Sequence, residues 1–229
     1  MAETKTKAET SAEANKEVEK VKDFWSRYSK PILYAGSAIV LVLGGWLGYK
    51  EFILAPKQKK ANDAISKAQE YFAKDSLNLA LNGDGASAGF LKVIKNYSGT
   101  DAANLAHYYA GAIYLRKDDF ANAIKYLESF STGATQVQSA AWKMLGDAYM
   151  SSGKKDKGIS YYLKAANLNE GDEYISSENL YLAGMAYLAD GKNKEAIEVL
   201  KSLKDKYPKS EKGANVDKYL AKLGVVEND

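Results

Sequence analysis

The chain has 229 residues, with 32 basic and 29 acidic side chains and a net charge of +3, a balance without the concentrated basic face that nucleic acid demands. It contains no cysteine, which excludes disulfides, thiol catalysis and thiolate zinc sites, and its single histidine argues against a histidine-based metal centre or triad.

Residues 1–30 are a charged tail. No apolar residue larger than alanine stands between Ala2 and Lys16, so the tail is expected to be disordered to about Asn15. Val18, Val21, Phe24, Trp25 and Tyr28 then recur at three- and four-residue steps and predict a juxtamembrane amphipathic helix. Trp25 and Tyr28 are placed at headgroup level, with Lys22, Arg27 and Lys30 facing lipid phosphates.

Pro31–Tyr49 runs without a charge, and as a helix rising about 1.5 Å per residue it approaches the ~30 Å hydrocarbon core of a bilayer. Residues 31–55 are therefore read as one transmembrane helix. The 30 residues ahead of the run and the lack of an A-x-A site after it argue against a cleaved signal peptide. Lys16, Lys20, Lys22, Arg27 and Lys30 precede the span and Lys50, Lys57, Lys59 and Lys60 follow it, so charge leaves its orientation open. Gly36, Gly44 and Gly48 share one face. That stripe is either a docking surface for another membrane helix or the glycine usual in such spans. Pro56 is expected to end or kink the helix that follows.

About 180 residues remain, enough for one domain with its own core. Residues 57–103 read as a degenerate helix pair. Ala61, Ile65, Ala68, Tyr71 and Phe72 mark its first helix, and Phe90, Leu91, Ile94 and Tyr97 its second. Asn82-Gly-Asp-Gly85 between them is read as a turn, since Ala80 and a missing closing glutamate spoil a calcium loop.

One phrase then recurs three times: Gly111-Ala-Ile-Tyr114, Gly146-Asp-Ala-Tyr149 and Gly184-Met-Ala-Tyr187. Ala123, Gly158 and Ala196 stand nine residues after these tyrosines, each followed by isoleucine, with a polar turn between. Each unit is thus helix, short turn, helix. With Trp142, Leu145, Gly146 and Tyr149 in register in the middle unit, and Pro208 closing the third, this resembles the tetratricopeptide repeat. The expected fold is all-α: a transmembrane helix, then a helical solenoid over 56–229, with repeats 104–138, 139–176 and 177–210 and a capping helix 211–224. His107 falls on a packing position.

That resemblance places a peptide groove on the first helix of each repeat. Its positions map onto Leu105, Tyr108, Tyr109, Ala112 and Leu115 in the first unit. They map onto Ala140, Lys143, Met144, Asp147 and Met150 in the second, and Glu178, Tyr181, Leu182, Met185 and Leu188 in the third. Methionine and tyrosine suit adaptable apolar contact, though neighbouring helices or the terminal helix could equally cover this face. Lys143 beside Asp147 is not an anion clamp, so selective capture of acidic C-terminal peptides is not expected. No glycine-rich phosphate loop, nucleophile elbow or metal spacing appears, and Asp118-Asp119 reads as helix capping; neither catalysis nor a cofactor is expected.

The layout of charged tail, glycine-rich span ending GGWLGY and repeats resembles the YfgM-like family of bacterial inner-membrane proteins, as does the segment Tyr97–Ala106. It is similar too to repeat proteins of Bacteroidota-type bacteria. The resemblance implies a single-pass inner-membrane protein with a cytoplasmic N-terminus and a periplasmic domain. It also implies an ancillary, chaperone-like role at the SecYEG translocon beside a membrane-anchored peptidyl-prolyl isomerase, with unfolded secreted chains as clients. A scaffold for another envelope machine, in cell division or outer-membrane assembly, is the alternative.

Overall fold

The computed structural model describes the backbone of residues 2–225 and the side-chain surroundings of residues 18–20 and 22–225. These residues form helices and no strand, with one isolated antiparallel bridge between Gly83 and Ala88. They divide into two units, residues 1–56 and 57–229.

In the first unit α1 runs from Ala2 to Tyr49. The disorder expected to Asn15 is replaced by helix, as suits a stretch rich in Ala, Glu and Lys with no proline before Pro31 and no glycine before Gly36. Phe24, Trp25 and Tyr28 are exposed, and the rings of Phe24 and Tyr28 lie 4.9 Å apart. The apolar run has a mean hydropathy of 1.7 and is not buried within the protein, so by length and composition it is a candidate membrane span. Lys50–Leu54 is π-helical, with the Ala55 amide bonded to the Lys50 carbonyl. Pro56 therefore does not end the helix. The wide turn shifts the hydrogen-bond register just ahead of a residue that has no N–H to donate, and α2 follows as Ala55–Ala73.

The second unit is a series of helix pairs, and four turns explain it. After α2 the Ser76 amide bonds to the Tyr71 carbonyl. The same bond recurs from Asp119 to Tyr114, from Lys154 to Tyr149 and from Lys192 to Tyr187. The residue just before each donor has positive φ: Asp75 (58°), Asp118 (56°), Gly153 (79°) and Gly191 (72°). Together these are Schellman stops, in which a left-handed residue lets two amides satisfy carbonyls of the last helical turn. Each launches the second helix of a pair. The pairs are α2 with α3 (Leu77–Asn82), α5 (Asp101–Arg116) with α6 (Phe120–Glu128), α7 (Thr135–Ser151) with α8 (Lys155–Asn167), and α9 (Glu173–Ala189) with α10 (Asn193–Lys206).

Close packing inside the pairs rests on the glycines of the repeated phrase. A Cβ on Gly111 would lie 2.5 Å from Leu127 Cγ, one on Gly146 2.4 Å from Tyr162 Cε1, and one on Gly184 2.6 Å from Leu200 Cδ2. Each partner sits sixteen positions on, so glycine here is a requirement of helix approach. Hydroxyls tie the helices together: Ser139 Oγ donates to the Ala165 carbonyl within the α7–α8 pair, and Ser176 Oγ of α9 to the Ala166 carbonyl of the preceding pair, both at 2.7 Å. The core is a chain of small clusters, with Ile65, Phe90, Val93 and Ile113 in one and Leu180, Leu200, Leu203 and Leu220 in another.

Two details differ from the sequence expectation. The helix that closes the first pair is the short α3, and the second helix expected from the sequence, α4 (Phe90–Asn96), follows it and packs on α5. The cap is two short helices, α11 (Glu211–Ala214) and α12 (Asp217–Lys222), parted at Asn215 so that Val216 is buried. Within the expected turn Asn82–Gly85, Asn82 ends α3 and the chain reverses after it: Asp84 accepts from the amides of Ala86 and Ser87 and from the Tyr71 hydroxyl. The last four residues of the expected 56–229 domain lie outside the described residues.

Candidate polypeptide-binding groove

The groove positions all lie on α5, α7 and α9, which pack in succession. Of the thirteen residues Leu105, Tyr108, Tyr109, Ala112, Leu115, Lys143, Met144, Asp147, Met150, Tyr181, Leu182, Met185 and Leu188, Ala112 is buried and the rest are half-buried. Much of this face is occupied by the protein itself.

In the first unit Tyr109 stacks on Phe90 of α4, with centroids 4.9 Å apart and planes 7° apart, and meets Phe72 edge-on at 5.0 Å. Tyr108 packs against Phe130 at 5.2 Å. Leu105 joins the α2–α5 cluster, and Leu115 joins Met144 around Leu127 and Leu145. In the second unit both oxygens of Asp147 are taken: Tyr162 donates its hydroxyl at 2.7 Å and Lys143 its ammonium at 3.1 Å. Burial and that carboxylate push the Tyr162 phenol well above its usual pKa. Met150 closes over Gly158 and, with Leu182, packs around Ile159 and Ala183. In the third unit the Tyr181 and Tyr219 hydroxyls meet at 2.9 Å, which brings α12 over this face. The bond to Tyr219 and burial push Tyr181 up to about 12. Lys212 of α11 adds an ion pair to Glu178 and lies over the Tyr181 ring. Leu188 joins the cluster of Leu180 and Leu200, and Met185 of α9 is half-buried. His107 sits 5.8 Å from the Tyr126 ring, and burial lowers its pKa.

The open part is the rim at the start of α7 and α9. A cavity of about 250 Å3 between them is lined by Ser139, Ala140 and Lys143 of α7 and Tyr174, Ile175, Glu178 and Asn179 of α9. A second, of about 520 Å3, lies between α9 and α11 and shares Tyr174 and Glu178. Tyr174 is 79% exposed, far more than the other tyrosines of the repeats. Position counting catches Ala140, Lys143 and Glu178 but misses Tyr174, Ile175, Asn179, Lys209 and Lys212, which lie outside the counted register. The one available signal was an aromatic set into an acidic helix start, Asp172-Glu173-Tyr174.

In the first unit, a Cβ at Gly36, Gly44 or Gly48 would meet no atom within 4 Å.

No curated protein matches the sequence. Two stretches, residues 139–172 and 178–210, match models of the tetratricopeptide repeat. Their helices, turns and glycine contacts are those described above for α7–α8 and α9–α10, and the α5–α6 pair repeats them. The chain is a protein containing tetratricopeptide repeats.

Proposed function

We propose that this is a non-catalytic, membrane-tethered protein-interaction module. The apolar run of α1 anchors it in a bacterial inner membrane, its N-terminus is cytoplasmic and its repeats lie in the periplasm. There it serves the Sec translocon as an ancillary, chaperone-like factor that binds extended polypeptide, beside SecYEG and a membrane-anchored peptidyl-prolyl isomerase. Tetratricopeptide repeats are protein-interaction modules, which supports the binding role. The observation that carries it is Tyr174, an aromatic 79% exposed at the junction of two clefts on the repeat face. Exposed aromatics beside clefts anchor partners. Resemblance to the YfgM-like layout supports the placement at the translocon.

The test is affinity purification of the full chain in mild detergent. Recovery of channel subunits is expected. Recovery of envelope-assembly subunits without the channel would overturn the translocon assignment in favour of a scaffold. A C-terminal reporter active only in the periplasm tests the orientation; a silent but well-expressed fusion would overturn it.

A further inference from the structure

We propose that four lysines gathered where α2 begins and α4 ends, Lys59, Lys60, Lys92 and Lys95, bind the headgroups of anionic phospholipids in the membrane that anchors the chain. This rests on the membrane-tether reading above and adds to it an electrostatic contact made by the repeat unit itself.

Packing gathers the four. Ala61 and Ile65 of α2 share a buried cluster with Phe90 and Val93 of α4. The start of α2 is fastened to the chain just past α4. Lys57 Nζ donates to the Ser98 carbonyl at 2.7 Å, and Gln58 Oε1 accepts from the Asp101 amide at 2.8 Å. Lys59 and Lys60 follow within the same turn of α2. Lys92 and Lys95 stand three apart on the exposed face of α4, which ends at Asn96, two residues before the anchored Ser98.

Their charge is uncompensated. All four are exposed, and among the described residues none has an acidic partner. Further along the repeats lysines are held by carboxylates: Lys143 by Asp147, Lys155 by Asp190, Lys206 by Glu170 and Lys212 by Glu178. Two exposed aspartates, Asp63 and Asp101, flank the group, so cations outnumber anions there.

Covalent connection decides the partner. Leu54 ends the π-helical stretch that follows the apolar run, and Phe52 and Ile53 within it are 81% and 56% exposed. Lys59 and Lys60 lie five and six residues beyond Leu54, roughly 8–9 Å of helix. That is about one screening length at physiological salt, so a bilayer holding the apolar run keeps these lysines inside the field of its headgroups. An ammonium is a compact point charge that pairs with phosphate without a shaped pocket, and each one near an anionic surface strengthens attachment by about fivefold.

The experiment reconstitutes the full chain into nanodiscs of phosphatidylcholine, alone or with about one-third phosphatidylglycerol. The chain has no cysteine, so Asn96→Cys carries a single fluorophore beside Lys95, and Lys201→Cys on α10 carries it as the control. Quenching by a lipid spin-labelled at its headgroup reads approach to the bilayer. At position 96 quenching should rise severalfold with phosphatidylglycerol, while position 201 stays unchanged. The rise should be lost in about 0.5 M sodium chloride, where the screening length is about 4 Å. It should also be lost when Lys59→Gln, Lys60→Gln, Lys92→Gln and Lys95→Gln are combined. The salt series on the unsubstituted lysines decides the matter should that variant fail to fold by circular dichroism. Equal quenching in the two discs overturns the proposal, as does a rise that survives high salt or the four substitutions in a folded variant. An emission shift at position 96 with soluble polyglutamate but not with phosphatidylglycerol would assign the patch to an acidic polypeptide and likewise overturns it. Co-elution with the discs tests the tether separately. A chain that co-elutes without responding to phosphatidylglycerol loses only the lysine patch; a chain that elutes free of lipid loses the tether reading as well.

Discussion

The hydroxyls of Tyr181 and Tyr219 meet at 2.9 Å, so the C-terminal cap closes on a residue that repeat register assigns to the binding face. Tyr219→Phe removes that bond and should loosen α12. Amide exchange across Asp217–Lys222 should speed up by roughly tenfold at most, the factor one hydrogen bond carries. Unchanged exchange would mean that the apolar contacts of Val216 and Leu220 and the Lys204–Asp217 ion pair suffice to hold the cap.

Gly146→Ala should be among the most damaging small substitutions. Its Cβ would sit 2.4 Å from the Tyr162 ring, and that ring is fixed at its far end by Asp147. We expect a loss of about 1–3 kcal/mol, typical of overpacking, read as a lower midpoint of thermal unfolding. A neutral outcome would show that α7 and α8 slide apart at little cost.

The opposite sign is expected at Asp118, which holds a φ of 56° with its side chain exposed. Asp118→Gly should stabilise by about 1 kcal/mol, because glycine adopts this conformation without the Cβ penalty. Gly153→Ala, at a φ of 79° in the equivalent turn, should destabilise by about the same amount.

Stability should fall in alkali. Tyr149 and Tyr162 are pushed above the ordinary phenol value of 10.0, first by burial and then by the Glu128 and Asp147 carboxylates that accept their hydroxyls. The folded state then holds more protons than the unfolded state above pH 10. The stability they contribute is fully present below pH 10 and is lost as pH rises beyond it. Unfolding curves between pH 8 and 11 check this, and Tyr149→Phe with Tyr162→Phe should flatten the alkaline limb.

Gly44→Leu with Gly48→Leu offers a clean test of the membrane face, since a side chain there meets nothing within 4 Å in the protein. Membrane insertion should be retained and recovery of channel subunits reduced. Undiminished recovery would return the span to the role of a simple anchor.

How much of this was legible follows from the residues. Gly111, Gly146 and Gly184 announced the helix pairs because their spacing is set by contacts with Leu127, Tyr162 and Leu200, sixteen positions on. The first pair was harder to read. Ala68 stands three residues before Tyr71, where the other pairs have glycine, so Tyr71 and α3 carried no visible repeat signature. The groove was legible only as a register. Counting positions places Tyr109, Asp147 and Tyr181 on one face but is blind to Phe90, Tyr162 and Tyr219, which come from other elements and fill it. The open rim at Tyr174 lies before the counted positions and emerges only once α7, α9 and α11 are placed.

The most direct test of the central claim is site-specific photocrosslinking. A photoreactive phenylalanine replaces Tyr174 in the full-length protein, with Lys201, exposed on α10, as the control position. Unfolded lactalbumin should crosslink at position 174 and not at 201. Equal crosslinking at both positions, or none at 174, would contradict a polypeptide-binding rim at the start of α9.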